Sequence, residues 1–137
     1  MLMNFRAMGS VVLGLAAWPA LFMVVGIAFG LMWPDYRTAA RTFFDTQDFS
    51  QFTIGMMLLN FGLFAVIGVL SGWVVRRIGG SRTAGLVLAG IWFVYAAVNH
   101  FYVQWGNLPD WYNIVVPWII GGSIVIGARQ ATASART

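Results

Sequence analysis

The chain has no cysteine, no lysine and no glutamate, and its 137 residues include one histidine and four acidic side chains, all aspartate. Without cysteine there are no disulfides, no thiolate nucleophiles and no Cys-ligated metals. Acid–base and nucleophilic catalysis need several titratable side chains brought together, so this inventory points away from an enzyme, and no metal-ligating motif occurs. Charge is scarce as well: 9% of the residues are charged and 60% are apolar. A soluble domain of this length cannot hide so much apolar surface, so over most of the chain the solvent is lipid.

Four long apolar runs lie between the charged residues, from Ala7 to Pro34, Phe49 to Val75, Thr83 to Pro109 and Trp111 to Ala128. A hydrocarbon core of about 30 Å takes about 20 helical residues, and each run supplies that length or nearly so. Membrane strands would alternate apolar with polar over about 10 residues, and nothing here alternates. The fold expected is an all-α, single-domain bundle of four antiparallel transmembrane helices over residues 9–33, 52–75, 83–105 and 111–128. The first run exceeds a signal peptide's apolar core and is followed by no small-x-small cleavage site, so it reads as a retained span.

All eight basic residues are arginine. Arg6, Arg76, Arg77, Arg82, Arg129 and Arg136 fall at the two termini and in the middle loop; only Arg37 and Arg41 fall in the other two loops. The positive-inside rule then places both termini in the cytoplasm. Arginines that border apolar spans suit anionic lipid headgroups as partners and give no sign of nucleic acid.

The loops carry ordinary punctuation. Gly79 and Gly80 can close the second span with a left-handed cap, and Ser81 can cap the third. Asp110 can cap the fourth. Between Pro34 and Ser50, Tyr36, Ala40, Phe43 and Phe44 fall opposite Arg37, Arg41, Asp45 and Asp48, the pattern of a short amphipathic helix lying on the outer face. Trp33, Tyr36, Tyr102, Trp105, Trp111 and Tyr112 form the aromatic belt expected at that surface. The tail from Ala131 to Thr137 is expected to fray.

No span contains an aspartate or arginine, which removes the fixed charge that ion-coupled transporters use. The polar residues that do enter are Asn60, Asn99, His100 and Gln104, with Pro117 and Gly26 at a similar depth. Hydrogen bonding between helices is their favoured role, with an Asn60–Asn99 contact between adjacent second and third spans. A polar cavity opening outward, lined by Asn60, Asn99, His100 and Pro117, is the sharper alternative. The pairs Gly26/Gly30, Gly68/Gly72 and Ser123/Gly127 each place two small residues on one helix face for close packing. Ala96-x-x-x-His100 with Trp105 is similar to the pigment-ligating stretch of bacterial light-harvesting antenna helices, which implies a bound pigment at His100. A structural hydrogen bond is the expected role of that histidine, and no cofactor is called for.

The second span ends Gly72-Trp73-Val74-Val75-Arg76-Arg77-Ile78-Gly79-Gly80, and the last opens Leu108-Pro109-Asp110-Trp111-Tyr112-Asn113 and reaches a mid-helix proline. In these features the chain resembles small four-helix bacterial inner-membrane proteins. The resemblance implies architecture and location and carries no chemistry. The leading functional expectation is a non-enzymatic accessory, assembly or structural subunit that packs against another membrane protein or itself. The alternatives are a small uncoupled channel or carrier using the outward polar layer, and a His100-ligated haem or pigment accessory.

Overall fold

The computed structural model describes residues 5–79 and 81–133. Gly80 of the expected glycine cap, Arg136 and the tail from Ser134 onward lie outside the described residues. The chain is all helical: α1 (Phe5–Met32), α2 (Pro34–Thr46), α3 (Ile54–Gly79), α4 (Arg82–Val98), a π-helical turn (Asn99–Val103) and α5 (Asp110–Ala133). Four of these segments are long and apolar enough to cross a membrane: α1, α3, α4 continued through the π turn to Val103, and α5. Side chains such as Val24, Ile27, Val66 and Trp118 stand exposed on the outer faces, as lipid-facing residues do.

The fourth long helix, α5, is the most buried. It packs chiefly on α3 and next on α4, while α1 packs on the other side of α3. α3 and α4, joined by the short loop at Ser81, touch one another, but the main neighbour of each is α5. The reason lies in small residues. A Cβ added at Gly68 would overlap Ser123, one at Gly72 would overlap the Ile124 carbonyl, and one at Gly127 would overlap the Val69 carbonyl. Two of the three small-residue pairs read from the sequence thus meet each other across the α3–α5 seam. The third does not join them: nothing lies within 4 Å of a Cβ at Gly26, and Gly30 faces the Arg37 stem.

Toward the arginine-rich end the packing stays close. Gly14 faces Val75 and Leu88, Gly79 faces Ser10, and Gly85 faces Ala128. Gly79 is the last residue of α3 and does not take the left-handed conformation; among the described residues only Gln47 (φ 58°) and Gly106 (φ 88°) have positive φ. Closeness to Ser10, not backbone handedness, explains a glycine at position 79. Ser81 does cap α4, its hydroxyl accepting from the Ala84 N–H at 3.4 Å. Asp110 stands inside the first turn of α5.

At the other end the bundle opens. Trp33 precedes Pro34, whose ring pushes it out of the helical region (φ −133°, ψ 93°), and the chain turns from α1 into α2 there. α2 is amphipathic: Tyr36 and Ala39 are buried, while Arg37, Arg41 and Asp45 are exposed. The helix stops at Thr46, so Asp48 lies beyond it. Gln47 takes the left-handed position that ends the helix, its N–H donating to the Phe43 carbonyl at 2.8 Å.

Candidate functional site

Beneath α2 lies a cavity of about 380 Å³. Three features of the sequence hold it open. Half of the residues lining it are phenylalanine, tryptophan or tyrosine, and flat rings do not let backbones approach as glycine does. The π turn at Asn99–Val103 adds a residue to the end of α4, closed by Gln104 N–H donating to the Asn99 carbonyl at 3.0 Å, and swings Asn99 and His100 onto the wall. Finally, α2 lays Ala40, Phe43 and Phe44 over the mouth.

One end of the cavity is a cluster of rings. Trp18 stands 4.6 Å from Trp92 and stacks on Phe22 and Phe64 at 5.7 and 5.8 Å between centroids. The other end is polar. Tyr36 donates its hydroxyl to Asn60 Oδ1 at 2.7 Å, and the Tyr112 hydroxyl is a second hydrogen-bond partner of the Asn60 side chain. Burial pushes the Tyr36 hydroxyl above its ordinary pKa of 10.0, so it stays a donor across the physiological range. His100 Nδ1 lies 2.9 Å from Asn113 Oδ1, and Asn113 Nδ2 donates to the Leu108 carbonyl at 3.2 Å. Gln104 Nε2 donates to Gln47 Oε1 at 3.3 Å, tying the polar end to the end of α2.

Of the polar residues singled out in the spans, Asn60, Asn99, His100 and Gln104 all line this cavity. Pro117 does not; it is fully buried in α5. No hydrogen bond joins Asn60 to Asn99 among the described residues; Asn60 Oδ1 accepts from Tyr36 of α2 instead. The sequence reading missed Asn113, Tyr36 and Tyr112. Asn113 carries the signal that marked Asn60, an amide inside an apolar run, and lies four residues before Pro117, one helical turn away. The two tyrosines sit where the interfacial belt is expected, yet each is only 4% exposed.

Family models, curated proteins and solved structures give no match to this chain. The site's chemistry therefore rests on its own groups. Among the described residues no aspartate or arginine lines the cavity. Its single titratable group of neutral range, His100, is oriented by an amide, which cannot relay a proton as a carboxylate would. Among the described residues no three His, Cys, Asp or Glu side chains stand close enough to hold a metal ion. What the arrangement can do is enclose an uncharged molecule: aromatic walls for its body, amides, hydroxyls and an imidazole for its polar end.

Proposed function

We propose that the protein is a non-enzymatic, multi-pass component of a bacterial inner membrane that holds a small uncharged lipophile in the cavity beneath α2. One observation carries this reading. Tyr36 of α2, Asn60 of α3, Asn99 and His100 of the π turn, Gln104 just after it and Tyr112 of α5 converge on one half-open space of about 380 Å³, near the lower end of small-molecule sites. Residues serving only as interhelical glue would be spread along the seams. Here the α3–α5 seam is closed by glycine and serine, and the polar groups gather where the seam opens.

Orientation follows the arginines, with α2 outside and both termini cytoplasmic; the resemblance through Gly72–Gly80 and Leu108–Asn113 supports the inner membrane of a bacterium. Anionic lipids are the partners of the basic end, and nucleic acid is not a partner. An impermeant maleimide should label Thr46→Cys but not Ser134→Cys on intact cells, and the reverse pattern would overturn the orientation. Native mass spectrometry of protein released from membranes tests the ligand. A small non-lipid adduct is expected, and Ala96→Phe, which fills the cavity from α4, should lose it. An adduct that persists unchanged in Ala96→Phe, or none in the wild type, would contradict the reading.

A second reading, an accessory or structural subunit that assembles with another membrane protein or itself, draws on α1. Gly26 meets nothing within 4 Å, and Met23, Val24 and Ile27 beside it are exposed. Co-purification of a stoichiometric partner that Gly26→Leu abolishes would favour it.

A further inference from the structure

We propose that the molecule held in the cavity is a planar, neutral lipophile bearing a hydroxyl group, of the phenol or hydroquinone class, whose O–H donates to Nε2 of His100. The inference rests on the ligand-binding reading above and supplies the chemistry of the ligand.

The hydrogen-bond directions are fixed by a chain of three groups. The Leu108 carbonyl can only accept, so the group of Asn113 that lies 3.2 Å from it is the amide NH2. That choice turns the amide oxygen toward His100, where Oδ1 sits 2.9 Å from Nδ1. An oxygen at that distance requires a donor, so Nδ1 carries the hydrogen. A second hydrogen on Nε2 would place a cation in a cavity lined by no carboxylate, next to aromatic walls and surrounded by lipid, which is costly. The ring is therefore neutral and Nε2 presents a bare lone pair. No protein group among the described residues occupies it. Asn113 thus acts as a positioning residue, much as the outer partner of a ligating histidine fixes the ring's tautomer and direction.

An acceptor without a donor, on the wall of a half-open cavity set among apolar side chains, selects a ligand with a hydrogen to give. Asn99, the next residue on the same wall, brings an amide with no side-chain hydrogen bond among the described residues, able to donate to the ligand oxygen or accept from it. The far end selects shape. Trp18 stacks on Phe22 and Phe64 at interplanar angles of 10° and 26° and is tilted by 32° on Trp92, a ring cluster that favours a flat aromatic body over a branched or bulky one. The lack of a lining aspartate or arginine among the described residues disfavours carboxylates, phosphates and ammonium groups.

The test uses the full chain in phosphatidylcholine nanodiscs and two probes of nearly equal shape, 6-bromo-2-naphthol and 6-bromo-2-methoxynaphthalene. Bromine quenches nearby indoles, and Trp18 and Trp92 line the site. Ala96→Phe nanodiscs supply the quenching that arises from lipid partition alone. We expect saturable quenching by the naphthol at a concentration at least tenfold below that needed by the methoxy compound, since a site built around a hydroxyl rejects an analogue lacking it. In His100→Leu the ratio should fall close to one. Equal half-saturation by both probes in the wild type, or a ratio unchanged in His100→Leu, would overturn this inference and leave the cavity a general lipophile site. No saturable quenching by either probe would overturn the ligand-binding reading beneath it. A visible absorption band that co-purifies with the wild type and disappears in His100→Gln would replace the hydroxyl donor with a ligated pigment. Nitrogen-15 NMR of the wild type decides the tautomer without any variant: Nδ1 protonated supports the proposal, Nε2 protonated contradicts it.

Discussion

The two ends of this bundle are built from different residues and pack in opposite ways. From Gly68 toward the arginine end, glycine, serine and alanine bring α3, α5, α1 and α4 so close that an added Cβ would strike a neighbour at Gly14, Gly72, Gly79 and Gly85. From Asn60 toward α2, rings and amides hold the same helices apart around a cavity of about 380 Å³. In lipid no hydrophobic force draws helices together, so contact area and hydrogen bonds decide where they close. Small side chains give contact area along the first half. The second half has hydrogen bonds and a space to which they can be applied. Close packing and an open, polar-lined space are thereby separated along the axis of the bundle.

The comparison breaks most readily at the seam. Gly72→Leu drives a side chain into the backbone of Ile124 and Ala128 and should cost about 3 kcal/mol in detergent-unfolding titrations. Gly62→Leu, on the same helix with nothing within 4 Å, should stay within about 0.5 kcal/mol of wild type. Equal losses would remove the distinction between seam and open face. At the polar end, Asn113→Leu leaves the Leu108 carbonyl and His100 Nδ1 unpaired and should cost about 1–3 kcal/mol. A neutral outcome there would mean that the network orients nothing.

Tyr36→Phe sharpens the comparison, because it should loosen α2 without touching the α3–α5 seam. Loss of the 2.7 Å bond to Asn60 is expected to cost about 1 kcal/mol and to speed amide exchange in α2 alone. The Tyr36 hydroxyl has its pKa raised by burial, so the folded form holds its proton where the unfolded form releases it. Docking of α2 should therefore be complete below pH 10.0 and weaken as pH rises above it, in the wild type but not in Tyr36→Phe. The smallest effect is expected at Asp48, whose exposed carboxylate accepts from the Ser50 N–H at 2.8 Å and hydroxyl at 2.9 Å and so has its pKa lowered below 3.8. Its contribution to the order of that loop is present above pH 3.8 and is lost as pH falls through the lowered value, which the Ser50 amide shift would follow.

Much of the fold was legible because lipid imposes simple rules. Run length gave four spans, and spacing gave the amphipathic α2, since a helix at an interface must sort Arg37, Arg41 and Asp45 from Tyr36 and Ala39. Small-residue spacing marked Gly68/Gly72 and Ser123/Gly127, but spacing within one helix cannot name the partner helix, and Gly26/Gly30 has the same spacing with no such contact. Asn60 and His100 stood out as polar residues in apolar runs, whereas their partners did not. Tyr36 reaches Asn60 only because Pro34 turns α2 back over the bundle, and Asn113 meets His100 only because the π turn rotates that ring toward α5. Both are tertiary effects of a single local irregularity, and neither leaves a periodic trace in the sequence.

The central claim is that the α2 end is open in order to hold a small molecule while the α3–α5 seam is closed. A cryo-EM reconstruction of the protein in lipid nanodiscs, enlarged by a rigid fusion partner, tests it most directly. Non-protein density is expected among Trp18, Trp92 and His100, ending within hydrogen-bonding distance of Nε2, with none between Gly72 and Ala128. A map in which the aromatic side chains have collapsed into that space, leaving no room for a ligand, would contradict it.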